Sequence, residues 1–336
     1  LFILDNAVVF DDIRNALPEK VRLRNLHVTD NRLLLRSCQI CYSLMIRILP
    51  RLGVRKHLAE LFWRAMKPAY TRIEETYDIA VSYQQGFMTY YVAEKVRADR
   101  KIAWINSQLS GHGHDKKFSR KFYDRYDHVV AVCEELRIML GESGYVDPAR
   151  LTSIYDIIDE RSIKDKSAEP CNIDHSRGTV IVTVARLAPE KNLQLAIEAA
   201  AIMRDRSMDF IWYIIGEGDD AGILREIISR LDLTDRVILT GSKTNPYCFM
   251  KAADIYVQTS RNEGYCLTIA EARILGRPVV STNFPMVYDQ IRDGWNGLIA
   301  DMTPEDVADK IMMLIGDDNL RKSIEGNLVG ERNTTS

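Results

Sequence analysis

Hydrophobic and polar positions along the chain follow two different periods. From about residue 178 onward, short β-branched or apolar runs alternate with stretches whose apolar positions recur three or four apart. The runs at 178–185, 210–215, 236–240, 254–258, 278–281 and 297–300 read as strands. They are apolar throughout, as when both faces of a sheet are covered. Helices are expected between them, the first over 193–203. Alternating β and α elements predict a parallel, doubly wound sheet.

The first half is less regular. Residues 1–4 read as a strand, and 21–28 alternate apolar and polar residues, as a half-exposed strand does. Residues 31–75 read as helical. Strands are expected at 78–83, 101–106 and 127–132, a helix over 134–140 and extended chain over 151–158. The charged stretch 159–177 reads as a loop and interdomain linker. The length of 336 residues suits two domains, expected over 1–170 and 171–330. After Lys310 only two short helical stretches and a polar tail are expected.

The most informative stretch is 259–271, Thr-Ser-Arg-Asn-Glu-Gly-Tyr-Cys-Leu-Thr-Ile-Ala-Glu. It follows a buried strand and runs into a helix that Gly276 and Pro278 stop. Free amides of Gly264, Tyr265, Cys266 and Leu267 would open that helix, where anions are favoured. Glu271, about one turn in, can accept two hydrogen bonds from a vicinal diol such as a ribose. Glu263 could do the same for a second polyol, such as a sugar. Taken alone, the loop could equally be a capping turn before a core helix.

The strand at 178–185 leads into Arg186-Leu-Ala-Pro-Glu-Lys191. Arg186 and Lys191 thus bracket a strand-to-helix turn, the place where a parallel α/β sheet presents its ligand crevice. Two cations there match a diphosphate. Taken singly, each also fits a solvated surface charge.

Together, the Arg-x-x-x-x-Lys turn and the later Glu-x7-Glu loop resemble the retaining glycosyltransferases of family 4, the group 1 glycosyl transferases with the two-domain GT-B architecture. The resemblance is strongest from about 179 to 315. It implies an α/β chain of two Rossmann-like, doubly wound domains facing each other across a cleft. It also implies transfer of a sugar from a nucleotide diphosphate sugar, UDP ahead of GDP, to a hydroxyl of a glycan or lipid-linked acceptor, with retention. Arg186, Lys191 and Glu263 would be the catalytic residues. Gly216, Gly218, Lys243, Gly264, Tyr265, Cys266, Leu267 and Glu271 would bind the donor, the base lying near Thr240–Lys243 by analogy. No Asp-x-Asp pair occurs, so a divalent metal is not suggested, and no cofactor is expected.

Residues 216–221, Gly-Glu-Gly-Asp-Asp-Ala, keep a rival open. They fit the G-x-G-x-x-A fingerprint of a dinucleotide site, with Asp235 beyond. An NAD-dependent oxidoreductase would use that loop, but it follows the second strand of its domain and leaves Arg186, Lys191 and the Glu pair without roles. A third reading is a catalytically inactive nucleotide-sugar-binding partner subunit.

On the acceptor side, Asn106 stands where the family often has a His after a Trp-Ile pair, which puts a catalytic His there in doubt. Ser107, His112 and His114 lie in the polar loop beyond it. A metal site in Gly-His-Gly-His-Asp would need more ligands. The family normally begins with a strand and a glycine-rich loop. Neither precedes 1–4, so a start shortened relative to the family is expected, and the end reads as shortened too.

Composition adds limits. Lys plus Arg number 45 against 47 Asp plus Glu, so no global charge points to nucleic acid. No run of 18 apolar residues occurs, and no membrane-spanning helix is expected. The six cysteines are scattered, and the Cys38/Cys41 pair reads as core rather than metal or redox site. This suits reduced thiols and a cytoplasmic setting. Locally, Arg32, Arg36, Arg47, Arg51, Arg55, Lys56, Arg64 and Lys67 face one acid, Glu60, across 32–67. Such a block fits either solvated helix faces or peripheral contact with the inner face of an anionic membrane.

Overall fold

The computed structural model describes residues 2–4, 23–54, 56–109 and 114–330. The chain divides into two compact units, Leu1–Val130 with Met139–Thr152, and Ala131–Ile138 with Ser153–Ser336. The boundary expected at 170/171 falls inside the second unit.

In the first unit, β1 (Phe2–Leu4) pairs in parallel with β2 (Leu23–Asn25), Phe2 opposite Leu23. Helix α1 (Arg32–Arg51) is capped by Asn31, whose Oδ1 accepts from the Leu34 amide at 3.1 Å. Helix α2 (Leu58–Met66) buries Leu61, Trp63 and Met66. It also buries Glu60, which is compensated: Oε1 accepts from Lys56 Nζ at 3.1 Å and Arg64 Nε at 2.8 Å. Strand β3 (Thr76–Ser82), helix α3 (Phe87–Lys95), β4 (Arg97–Ile105), α4 (Lys116–Tyr123), β5 (His128–Ala131), α5 (Glu134–Ser143) and β6 (Leu151–Ser153) follow. The four strands form one sheet in the order β3-β4-β5-β6, with β3 and β4 parallel and Thr76 opposite Arg97. Its core is aromatic: Trp63, Tyr90, Tyr91, Phe122 and Tyr126 are all buried.

The second unit, which also takes Ala131–Ile138 at the start of α5, continues with α6 (Glu160–Ser167), inside the stretch expected as linker. Its signals were in the sequence: Asp159 caps Ser162 at 2.9 Å, and Glu160 pairs with Lys164 one turn on. High charge masked them. Then come β7 (Thr179–Val184), α7 (Leu193–Asp205), β8 (Phe210–Ile215), α8 (Ala221–Arg230), β9 (Val237–Gly241), α9 (Tyr247–Ala252), β10 (Ile255–Gln258), α10 (Leu267–Ile274), β11 (Val279–Thr282) and β12 (Leu298–Ala300). Where two short stretches were expected, α11 (Pro304–Gly316) and α12 (Asp318–Gly330) each run 13 residues.

The six strands lie in the order β12-β11-β10-β7-β8-β9, and every neighbouring pair is parallel. This is a parallel, doubly wound sheet, the class read from the pattern. Its strand sequence reverses between β7 and β10, so the loops after those two strands diverge to opposite faces and leave a crevice at their C-terminal ends.

Two further features bear on the sequence reading. Helix α1 is 20 residues long with mean hydropathy 1.2, long and apolar enough to cross a membrane by length and composition, although no unbroken apolar run marks it. Of the Cys-x-x-Cys pair, Cys38 is buried but Cys41 is exposed.

Candidate functional site

The crevice at the β7/β10 reversal is held shut from behind by hydrogen bonds between its two loops. Thr183 Oγ1 donates to the Val257 carbonyl at 2.7 Å, tying the strands. Beyond them, Thr259 Oγ1 donates to the Lys191 carbonyl at 3.1 Å, the Arg261 amide to the Glu190 carbonyl at 2.9 Å, and Arg261 Nη1 to the Pro189 carbonyl at 2.7 Å. Pro189–Lys191 form a single 3₁₀ turn, closed by Asn192 in the left-handed region at φ 52°. Asn tolerates that conformation better than most residues. The turn and its anchors fix where the Lys191 side chain starts.

That side chain crosses the crevice. Lys191 Nζ lies 2.6 Å from Glu263 Oε1, joining residues 72 positions apart, and the two side chains are only 16% and 12% exposed. The same oxygen accepts from Ser260 Oγ at 2.6 Å and Gln258 Nε2 at 3.2 Å. Gln258 is held in turn: Tyr256 OH donates to its Oε1 at 2.9 Å. Strand β10 therefore supplies a buried relay, Tyr256–Gln258–Ser260, whose last members orient the carboxylate. Charge-assisted bonds of this length are the strong ones.

A cavity of about 480 Å³ opens beside this pair. The candidates Arg186, Lys191, Gly216, Lys243, Glu263, Tyr265, Cys266 and Leu267 line it, together with Val184, Ala185, Ile215, Glu217, Ser242, Pro246 and Thr268. The amides of Leu267 and Thr268 begin α10 and have no carbonyl partner within the helix. They give the cavity a donor-rich, electropositive end. Cys266 is no nucleophile, because burial, helped by Glu263, pushes its thiol up to about 12.

Three expected donor residues do not line the cavity: Gly218, Gly264 and Glu271. Glu271 is instead largely buried, accepting from Tyr247 OH at 3.1 Å. Burial raises its carboxyl to about 6, and the Tyr247 bond only partly opposes that rise. The two glycines of 216–218 have a packing reason. A Cβ on Gly216 would sit 1.9 Å from the Ala185 carbonyl oxygen, and one on Gly218 would sit 2.2 Å from that of Leu187. They let the loop after β8 lie against the loop after β7, with Leu187 N donating to the Glu217 carbonyl at 2.9 Å. Arg186, expected as a diphosphate-binding cation, is 75% exposed and pairs with Glu190, Nη2 to Oε1 2.6 Å.

Sequence reasoning passed over Glu217. It sits between the two glycines, and its Oε1 accepts from the Ser242 amide at 3.2 Å, fixing the β9 end of the cavity. Its position inside the glycine loop was the available signal.

Of the acceptor-side candidates, His112 lies outside the described residues. Asn106 and Ser107 follow β4 in the first unit. The Asn106 amide donates to Gln85 Oε1 at 2.8 Å, and Gln85 Nε2 contacts Ser107 Oγ. Asn106 Oδ1 and Trp104 Nε1 are buried without a hydrogen-bond partner among the described residues. His114 stacks on His57 with ring centroids 3.8 Å apart.

Comparison with known proteins agrees with this geometry. Residues 169–327 match the family model for glycosyl transferases group 1. The chain carries a group 1 glycosyl transferase domain. Its relatives include poly(ribitol-phosphate) alpha-N-acetylglucosaminyltransferase of Staphylococcus aureus, 33% identical over 145 residues, which are 42% of this chain and 29% of that protein. Another is alpha-D-kanosaminyltransferase of Streptomyces kanamyceticus, 31% identical over 152 residues, 44% of this chain and 39% of the relative. These matches thus span well under half of either relative. Among solved structures, Anabaena Alr3699/HepE in complex with UDP aligns with TM-score 0.63 at 16% identity, covering 92% of this chain and 80% of that one. TarM of S. aureus aligns with TM-score 0.58 at 23% identity, covering 70% and 47%. Such likenesses show the fold: two Rossmann-like units, the GT-B class.

Proposed function

We propose that this group 1 glycosyl transferase moves a sugar from a nucleotide diphosphate sugar to a hydroxyl of a glycan or lipid-linked acceptor. UDP is the expected nucleotide, ahead of GDP, and surface polysaccharide or glycolipid synthesis the expected setting, at the cytoplasmic face. The observation that carries the reading is the Lys191–Glu263 pair, 2.6 Å long and nearly buried, at the strand-order reversal beside a helix N-terminus.

The difficulty of the reaction is departure of the diphosphate as positive charge grows on the anomeric carbon. Preorganised cations and amides aimed at the leaving group address it directly. Lys191 and the α10 amides take that role, Arg186 joins them once a diphosphate draws it from Glu190, and no divalent metal is invoked. Glu263 orients the donor sugar: its three protein donors all reach Oε1, which leaves Oε2 for a sugar hydroxyl. Glu271 takes the ribose hydroxyls, once its Tyr247 bond opens to the ligand, Gly216 and Lys243 border the base and phosphates, and Gly218 seats their loop against Leu187. The bond from C1 to the phosphate oxygen breaks, and the acceptor oxygen bonds to C1 on the same face. The acceptor proton leaves with the phosphate, so configuration is retained without a protein nucleophile. Asn106, Ser107, His112 and His114 are the acceptor-side candidates.

The test is a ligand panel. A nucleotide at 100 times its Kd stabilises the fold by about 2.7 kcal/mol. UDP or GDP should raise the unfolding midpoint, and NAD should not. A shift with NAD alone would move the assignment to the dinucleotide reading of 216–221. Binding of UDP without any turnover of UDP-sugars would leave a nucleotide-sugar-binding subunit instead.

A further inference from the structure

Helix α1 has an outer face that nothing among the described residues of the first unit covers. Of its 20 residues only Cys38 is buried. Leu34, Leu35, Met45, Ile46 and Leu49 are half-buried on the inner side. On the other side Leu33 is 80% exposed, Ile40 52%, Leu44 50% and Ile48 46%. At 3.6 residues per turn these four fall within an arc of about 80°. Arg32, Arg36 and Arg47 fall within an adjoining arc of about 60°. The apolar outcrop continues past the helix through Leu52 and Leu58, both exposed. No Asp or Glu occurs anywhere in α1.

Arg51, also exposed, closes α1 in line with the aliphatic row, and three later basic residues serve the interior. Lys56 and Arg64 pair with buried Glu60, and Lys67 with Glu94 at 2.5 Å. The charge left for an outside partner is concentrated on α1, beside its aliphatic row.

We propose that α1 lies in the plane of an anionic lipid bilayer, its Leu33–Ile40–Leu44–Ile48 row in the acyl boundary and its arginines against phosphate headgroups. A second copy of the chain would set the arginine row against an identical row, with no acid in the helix to neutralise it. An anionic surface neutralises it fully. A spanning orientation would bury Arg36 and Arg47 in hydrocarbon, and the inner face of α1 is already taken by α2. This inference rests on α1 alone and stands or falls apart from the donor site.

Sedimentation with vesicles tests it on the whole chain. Binding is expected to vesicles of mixed phosphatidylglycerol and phosphatidylcholine and not to phosphatidylcholine alone, and should weaken as salt rises. Each basic residue near such a surface contributes about fivefold, so Arg36→Gln with Arg47→Gln should weaken partitioning roughly 30-fold. Leu44→Glu with Ile48→Glu should abolish it while leaving circular dichroism and UDP binding unchanged. Equal binding to neutral vesicles, no binding to anionic ones, or insensitivity to the arginine pair would overturn the proposal. So would a dimer in gel filtration that Leu44→Glu dissociates.

Discussion

The two carboxylates of the second unit, Glu263 and Glu271, sit eight residues apart on one loop-and-helix segment and are held in opposite ways. Glu263 has a cation and two neutral donors on one oxygen, all from β7 and β10 elements that are themselves tied together. Glu271 is partly buried against α9 and has one tyrosine hydroxyl. The first is a finished electrostatic assembly before any ligand arrives. The second is a buried acid short of donors, which a ligand with hydroxyls would complete. Proximity in sequence therefore says little about charge state. What decides it is whether the opposing strand contributes a cation.

The sharpest way to break this comparison is Lys191→Ala. It removes a leaving-group cation and strands Glu263. Transfer or donor hydrolysis should fall by about two powers of ten or more. Stability should fall by about 3 kcal/mol, as for a nearly buried pair that loses one partner. Glu263→Ala should cost similar activity, and the double variant should cost much less than the sum. If both single variants turn over normally and bind donor normally, Glu263 is not a finished catalytic assembly and the proposed chemistry fails.

The Glu271 side of the comparison is a pH experiment. Its folded carboxyl titrates near 6, above the ordinary 4.5. The folded state thus holds the proton more tightly than the unfolded chain. That contribution to stability is complete below pH 4.5 and is lost as pH rises through 6. The difference is about 2 kcal/mol. Glu271→Gln should therefore stabilise the ligand-free protein by about that amount at pH 7.5 and by little at pH 4, read by urea unfolding at each pH. An equal effect at both values would mean the acid is not held protonated by burial.

This contrast also marks how much the sequence disclosed. The β7-to-β12 alternation, the turn holding Arg186 and Lys191, and the loop holding Glu263 were all legible, because strand and helix periods and loop residues are local. The Lys191–Glu263 bond was legible only as a convergence, since two segments far apart must meet at the strand reversal. The geometry of Arg186 was not legible: its partner, Glu190, sits in the same turn and wins by proximity. The roles of Gly216 and Gly218 also escaped reading, because a close approach to Ala185 and Leu187 carbonyls is a tertiary fact. Helix α6 was hidden because its charges imitate a solvated linker.

A smaller effect sharpens the Glu271 side. Tyr247→Phe deletes the hydroxyl that donates to Oε1. A bond to a charged group is worth about 1.5–3 kcal/mol, so the loss should approach that range at pH 7.5 and shrink below pH 6, where the acid is neutral. The titration of Glu271 should move higher still. In the UDP complex the variant should lose less stability than in the free protein, because ribose hydroxyls replace the missing donor.

The smallest effect concerns the cation that the crevice does not hold. Arg186 is three-quarters exposed, and its Glu190 partner lies four positions away. Pairs of that kind are worth about 0.3–0.5 kcal/mol. Arg186→Ala should leave the unfolding midpoint nearly unchanged. Arg186 still lines the cavity, so a diphosphate can draw its guanidinium away from Glu190. The expected loss in UDP affinity is less than about tenfold at low salt and falls further at 0.5 M salt, where a Debye length of only a few ångströms screens an exposed charge. Lys191, enclosed with Glu263, should show little such salt dependence. Measuring the Kd of both alanine variants across a salt series separates a preassembled cation from a recruited one. If the two respond alike, enclosure at the strand reversal gives Lys191 no special standing.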